Sequence, residues 1–172
     1  MACSNITSGV LNPCSSNQGG LEAIFIANGP TESFVESNGT VTSITVGGSA
    51  LTAAYFFKFE VPRTTSSITE TVTGDVAQGT VTYAQSAVMV LNQMQAATRD
   101  QLQLIFEATS MIVVAKDNNG RYWSLGLERG AYGETSANTS GVAYQDANKY
   151  EITIGAIEAK PMFEVDGSIV EA

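Results

Sequence analysis

The 172-residue sequence predicts a mainly β domain, a β-barrel or β-sandwich with one flanking α-helix and a long extended β-hairpin. Segments in which apolar and polar residues alternate recur along the chain, and this period of two is typical of strands with one buried face. A helical period is clear at only one place, 98–109, where Leu102, Ile105 and Phe106 share one face. A single helix among many strands has to cover a sheet face or the end of a barrel.

Composition divides the chain into an extended arm (1–20), a single domain (21–166) and a flexible tail (167–172). The arm is rich in Ser, Asn and Gly, and its apolar residues Ile6, Val10 and Leu11 provide enough apolar surface to dock it on a neighbour. The domain is long enough to bury a core of its own. The tail is expected to be mobile, as the ends of most domains are.

The predicted strands are 21–27, 40–46, 52–61, 64–73, 80–91, 111–115, 121–126, 150–157 and 162–165. Segment 52–61 is the most aromatic and is apolar on both faces near its middle, which predicts a strand covered on both sides. Segment 31–37 predicts one helical turn. The polar segment from 128 to 146 contains glycine and repeated Ser, Thr and Asn, and predicts an exposed loop.

The segment from Thr98 to Leu127 is the centre of the predicted domain. Thr98 and Gln101 match a capping box, in which two side chains satisfy free amides at the start of a helix. Residues 111–115 are nearly all apolar and mostly β-branched, which predicts a buried strand. Residues 117–120 then predict a tight turn, after which the chain returns as the second strand of a hairpin.

The hairpin formed by 64–73 and 80–91 has two mostly polar faces. Such a ribbon buries too little apolar area to be stable alone, so it needs a partner surface. We therefore predict that it extends beyond its own barrel and pairs with a neighbouring subunit or ring. With the three apolar residues of the arm, the candidate interface residues are Ile68, Thr69, Glu70, Thr71, Val72, Val81, Tyr83, Ile6, Val10 and Leu11.

The charge of the chain restricts its partners. Its 17 Asp and Glu outnumber 8 Lys and Arg, for a formal net charge of −9. This argues against a nucleic-acid-binding protein, which needs clustered basic charge to displace counterions from phosphates. Charged residues make up only 15% of the chain, which is low for an exposed monomer surface. A surface covered by other subunits explains this value, and a Thr-rich monomeric β protein is the open alternative.

The sequence contains no histidine, which excludes Ser-His-Asp triads, Cys-His pairs and imidazole metal ligands. Phosphate-binding and dinucleotide-binding glycine motifs are also missing. We therefore expect no enzyme activity, no cofactor and no metal. Cys3 and Cys14 either remain free thiols or close a small disulfide loop. The first residues match no leader peptide and no apolar run is long enough to span a membrane, so we expect neither.

Three further patterns have a functional and a structural interpretation. Glu158 and Glu164 could supply an acid and a base, but solvated strand charges are the commoner explanation. Tyr122 and Trp123 could stack on a sugar or a base, although a tryptophan in a hairpin usually packs in the core. Residues 117–120 have part of a calcium-loop pattern without its spacing or terminal Glu, so a hairpin turn is favoured.

The order of motifs over 95–165 resembles the tail tube proteins of tailed bacteriophages. The resemblance lies in the helix, the apolar strand 111–115, the run Asp117-Asn-Asn-Gly-Arg-Tyr-Trp-Ser-Leu-Gly126, a Gly/Ser/Thr-rich loop and the closing strand Lys149-Tyr-Glu-Ile-Thr-Ile154. The first half of the chain is similar only in architecture. Contractile injection systems and type VI secretion tubes contain related proteins, and Cys3 and Cys14 are not part of the family pattern.

The resemblance implies a structural virion protein, synthesised in the host cytoplasm, that assembles into stacked rings, most commonly hexamers. The rings would form a tail tube through which genome DNA passes without specific binding, with sheath, terminator or baseplate proteins as further partners. Two alternatives from other classes stay open. One is a binding module, such as a capsid decoration protein or a secreted carbohydrate-binding β-sandwich. The other is a small hydrolase that uses Asp and Glu.

Overall fold

The computed structural model of the chain describes residues 8–10, 17–75 and 77–171. Within these residues the strands are β1 (Leu21–Asn28), β2 (Ser33–Ser37), β3 (Thr40–Val46), β4 (Ser49–Ala50), β5 (Phe57–Glu60), β6 (Ser67–Asp75), β7 (Thr80–Asn92), β8 (Met111–Asp117), β9 (Tyr122–Leu125), β10 (Tyr132–Thr139), β11 (Lys149–Glu158) and β12 (Glu164–Val165). The helices are α1 (Ala96–Glu107) and the short α2 (Gly167–Val170), and Ala53–Tyr55 form a 3₁₀ turn.

The strands form two sheets. The large sheet has the order β2-β3-β12-β9-β8-β1-β5, with β4 paired to β3, and the small sheet has the order β10-β11-β7-β6. Neighbouring strands are antiparallel except for the short β12–β3 pair. This arrangement confirms the predicted fold class in its sandwich form, because the two sheets pack on each other and the described strands do not close a barrel.

The core lies on both faces of the large sheet. On one face Ile24 of β1 and Val113 of β8 belong to a cluster with Met89, Ile152 and Ile154 of the small sheet. On the other face a second cluster includes the following residues: Phe25, Val114, Val41, Ile44 and Ile169. The strands covered on both sides are therefore β1 and β8, as predicted for 111–115. The prediction that 52–61 is covered on both sides is wrong, because β5 is an edge strand and Phe57 is 57% exposed.

Helix α1 packs against the same core through Leu102 and Ile105, which confirms the predicted helix and most of its buried face. The predicted capping box at Thr98 is wrong. The helix begins two residues earlier, after Gln95, and no side chain caps it. Asn148 binds the backbone just before the helix. Its side-chain Oδ1 accepts from the Met94 amide at 3.0 Å, and its backbone carbonyl accepts from the Gln93 amide at 2.8 Å.

Two other segments differ from the prediction. Residues 31–37 contain β2 rather than a helical turn, because Asn38 and Gly39 have φ of 53° and 84° and close a two-residue hairpin between Ser37 and Thr40. The predicted loop from 128 to 146 contains β10. A register shift between Gly133 and Thr135 breaks the alternation that would have revealed this strand.

The end of the described chain is packed rather than free. Ile169 and Val170 of α2 are 7% and 2% exposed, and Asp166 caps the helix by accepting from the Ser168 amide at 3.0 Å. Glu171 then accepts hydrogen bonds from Tyr122, Lys116 and Lys58. Ile169 and Val170 therefore belong to the second core cluster, in a segment where a flexible tail was expected.

Candidate self-assembly surface

The base of the β6–β7 hairpin is fixed to the body of the protein. Gln85 is 4% exposed; its Oε1 accepts from the Gly126 amide at 3.1 Å, and its Nε2 lies 3.3 Å from Glu70 Oε2. That Glu70 oxygen also accepts from the Met162 amide at 2.7 Å. Ile68 packs against the core between the sheets. Ile68 and Glu70, which the sequence assigns to an interface, are thus engaged within the chain.

Beyond its base the hairpin continues as a two-stranded ribbon. β11 pairs with β7 only up to Tyr83, so the rest of the hairpin has no third strand. Val72 lies opposite Tyr83, on the face that holds Gln85 further down the strand. Val72 and Val81 are 53% and 52% exposed. We call Val72, Val81 and Tyr83 the hairpin stripe, an apolar continuation of the core-facing surface in which the two valines are exposed and Tyr83 is partly buried.

The opposite face of the hairpin is polar and uncharged over most of its length. It carries Thr69, Thr71 and Thr73 of β6, and across from them Thr82 and Ala84 of β7. Lys149 is the single basic residue in the four strands of the small sheet, and its Nζ lies 2.8 Å from Glu151 Oε2. This face therefore offers no free cation to a nucleic acid.

The two edges of the small sheet are both long. β6 has nine residues and β10 has eight, and each pairs with only one neighbour in the described chain. Every residue of β10 except Gly133 is exposed. Sequence reasoning missed the β10 edge because of its bulge. Free edges of this length present rows of unpaired N–H and C=O groups, which are templates for pairing with another chain.

The edges are staggered along the strand direction. Ser136, near the middle of β10, is level with Met89 of β7. Thr71, the middle of β6, is level with Ala84, an offset of about five residues. At about 3.4 Å per residue, this shift is about 17 Å over the three spacings of about 4.8 Å that separate β10 from β6, which corresponds to a tilt of about 50°. Strands in closed barrels are also tilted, by about 35–45° to the barrel axis.

The arm residues of the predicted interface are described only in part. Val10 is 97% exposed, whereas Ile6 and Leu11 lie outside the described residues. Where the arm joins the domain, the Asn118 side chain donates to the Gly19 carbonyl at 2.7 Å and that of Asn119 to the Gln18 carbonyl at 2.9 Å. The 117–120 turn therefore anchors the start of β1.

The two glutamates considered for acid–base chemistry lie in different sheets. Glu158, at the end of β11, is 2% exposed; its Oε1 accepts from the Arg129 amide at 3.0 Å and its Oε2 has no partner. Burial raises the pKa of Glu158 above its usual value. A cavity of about 10 Å³ lies beside Glu158, and a cavity of this size holds about one water molecule. Glu164, by contrast, forms an ion pair, with its Oε2 3.4 Å from Arg121 Nη1.

The residues considered for stacking or metal binding make contacts with other residues of the chain. The Tyr122 ring lies 6.2 Å from that of Phe25, and its hydroxyl donates to Glu171 at 2.8 Å. Trp123 Nε1 lies 3.5 Å from Asp117 Oδ2, and Asp117 Oδ1 accepts from the Arg121 amide at 2.8 Å. In the described ranges no three Cys, Asp or Glu side chains are grouped to hold a metal ion.

None of the helices in the described part of the chain is both long and apolar enough to cross a membrane. Comparison with protein-family models, with curated proteins and with solved structures gives no match.

Proposed function

We propose that this chain is a non-enzymatic structural protein that assembles with itself, β6 of one copy pairing with β10 of the next to form rings. The observation that carries the proposal is the pair of long, exposed edges on one four-stranded sheet. Pairing the two edges would satisfy the unpaired backbone groups of both and remove the hazard of uncontrolled association.

The direction of the strands supports head-to-tail pairing. Successive strands of the small sheet are antiparallel, and their number is even, so β6 and β10 run in opposite directions. Copies related by a rotation can therefore continue one antiparallel sheet from subunit to subunit. A heterologous contact of this kind closes into a ring when the rotation permits. The stagger of the edges suits a tilted, barrel-like wall.

The resemblance to tail tube proteins supports the same assembly and extends it. In that architecture the rings are hexamers that stack into the tail tube of the virion, and sheath, terminator or baseplate proteins are further partners. A net charge of −9 and a small sheet whose single basic residue is ion-paired suit a lumen that DNA passes without being held. On this proposal the outer, Thr-rich face of the small sheet lines the lumen.

Edge-blocked variants test the proposal. In an antiparallel edge strand, adjacent residues direct their N–H groups alternately to the inner neighbour and away from it. Proline at one of two adjacent positions thus removes only an outward donor. We would prepare Thr71→Pro and Val72→Pro in β6, and Ser136→Pro and Ala137→Pro in β10. In each pair, the variant that keeps the parent's unfolding temperature has a blocked edge, and the other is the control for damage within the sheet.

We expect each edge-blocked variant to form no rings in negative-stain microscopy while the parent does. Mixed together, a β6-blocked and a β10-blocked variant should form 1:1 dimers, because each retains the edge that the other needs. Rings formed by either blocked variant alone would contradict the proposal. Monomers in the mixture would show that the two edges do not recognise each other.

A further inference from the structure

The loop between β10 and β11 presents two apolar side chains to solvent. Val142 and Tyr144 are fully exposed, with relative exposures of 102% and 111%. Three hydrogen bonds brace the loop: Asp146 Oδ2 accepts from the Val142 and Ala143 amides at 2.7 and 2.8 Å, and the Asp146 amide donates back to the Ala143 carbonyl at 3.0 Å. These amides lower the pKa of Asp146 below its usual value.

A loop braced by internal hydrogen bonds is suited to binding through its exposed apolar tips, since less conformational entropy is lost when it docks. Tyrosine is enriched among residues that dominate binding energy, because it combines a large apolar ring with a polar end. We call Val142 and Tyr144 the loop knob. In the described chain these two side chains pack against nothing, so their apolar area can be buried only against the surface of another molecule.

The loop knob and the hairpin stripe lie at opposite ends of the small sheet. β10 ends and β11 begins level with Asn92, at the far end of β7, whereas Val81 lies at the beginning of β7. β7 has 13 residues, so the two surfaces are about 40 Å apart at about 3.4 Å per residue. One copy therefore cannot cover its own stripe with its own knob. Two copies placed end to end along the strand direction can.

The charge of both surfaces permits such a contact. Copies with a net charge of −9 repel each other, so a contact between them has to avoid free carboxylates. The carboxylate closest in sequence to the knob, Asp146, is bound to backbone amides. Asp75, at the tip of the hairpin, likewise accepts from the Ala77 and Gln78 amides at 2.9 and 3.2 Å.

We propose that the loop knob of one copy docks on the hairpin stripe of a second copy in the adjacent ring, so that Val142 and Tyr144 pack on Val72, Val81 and Tyr83. The docking rests on the proposed function, because it supplies the axial contact between rings whose lateral contacts are the β6–β10 edges. It assigns the two contacts to different residues, and they can therefore be broken separately.

Substitution tests the axial contact. The double variant Val142→Ser with Tyr144→Ser should still form rings, because both sheet edges are intact, but should lose the tubes that the parent forms. Tyr55→Ser is the matched control, since Tyr55 is 52% exposed but lies in the 3₁₀ turn beside the large sheet, and it should form tubes as the parent does. Tubes of normal length in the double variant would overturn the docking proposal.

Cross-linking keeps this test independent of ring formation. In a background with Cys3→Ser and Cys14→Ser, the pair Val81→Cys with Tyr144→Cys should give a ladder of disulfide-linked multimers on mild oxidation. The control pair Thr73→Cys with Tyr144→Cys places one thiol on the opposite face of the hairpin and should give several-fold fewer multimers. Equal ladders, or none, would overturn the docking. A parent without rings would contradict the proposed function, and the ladder would still decide the docking.

Discussion

Gln85 and Glu70 face each other across the base of the β6–β7 hairpin, with Gln85 Nε2 3.3 Å from Glu70 Oε2. Gln85 reaches the Gly126 amide just beyond β9 of the large sheet, and Glu70 reaches the Met162 amide. The pair therefore connects the small sheet to two segments of the body.

Replacing Gln85 should destabilise the subunit. Gln85→Ala would leave the Gly126 amide unsatisfied in a buried position, which costs about 1–3 kcal/mol. Gln101→Ala, on the exposed side of α1, is the matched control and should change the free energy of unfolding by less than about 0.5 kcal/mol. Urea unfolding of both variants at concentrations too low for assembly would measure the difference. An unchanged Gln85→Ala would show that the hydrogen bond to Gly126 is not maintained in solution.

Glu158 should make stability depend on pH. Burial raises the pKa of Glu158 in the folded state, so the folded protein binds this proton more tightly than the unfolded chain does. As the pH rises above the ordinary pKa of a glutamate, ionisation of Glu158 therefore lowers the stability of the fold. Glu158→Gln should therefore unfold at a higher temperature than the parent at pH 7 and not at pH 3. Glu36→Gln, exposed on β2, should match the parent at both values. A Glu158→Gln variant less stable than the parent at pH 7 would contradict this account of the buried carboxyl.

Glu171 should stabilise the fold in its ionised form, which is the opposite of Glu158. Hydrogen bonds from Tyr122, Lys116 and Lys58 lower the pKa of Glu171 to about 2. Its contribution to the free energy of unfolding is therefore complete above about pH 4.5 and is lost as the pH falls towards 2. Since the side chain is 32% exposed, we expect Glu171→Gln to cost about 1–2 kcal/mol at pH 7 after solvent screening. The loss should nearly vanish at pH 2.

Glu60 is the control for Glu171, because both carboxylates lie close to Lys58. Glu60 is 3.8 Å from Lys58 Nζ but its side chain is 84% exposed, so Glu60→Gln should leave thermal unfolding unchanged at either pH. Equal losses in the two variants would mean that general charge, rather than the Glu171 contacts, stabilises the end of the chain.

Gly126 should not tolerate a side chain. It has a φ of +71°, and a Cβ there would collide with the backbone and side chain of Ala131. Gly39 has a φ of +84° with open space around it, so Gly39→Ala measures the conformational cost alone, about 1 kcal/mol. Gly126→Ala should be destabilised by at least about 2 kcal/mol more than Gly39→Ala, because overpacking adds to strain. Chemical unfolding of the two variants checks this, and equal losses would contradict the steric argument.

Local pattern was sufficient to predict much of the fold. The strand from Thr40 to Val46 has the predicted bounds, and the helix with Leu102 and Ile105 on its buried face follows the period of 3.6. Asn38-Gly39 is also a strong local signal for a two-residue hairpin, and attention to it would have revealed β2. These elements depend on neighbours in sequence, so the sequence alone identifies them.

The rest depends on contacts between distant segments. Gln85 and Glu158 are buried because strands from the two halves of the chain meet, and no local pattern distinguishes them from the exposed polar residues around them. The bulge at Gly133 hides β10 by shifting its alternation. The exposed Val142 and Tyr144 are missed for the same reason, since a loop between two strands can be recognised only once both strands are known.

The size of the parent protein in solution tests the central claim most directly. Sedimentation velocity over a hundredfold range of concentration, with negative-stain images of the same samples, would measure self-association. We predict species of several subunits that increase with concentration and appear as rings or tubes. A single species of monomer mass across the whole range would contradict self-assembly through the edges of the small sheet.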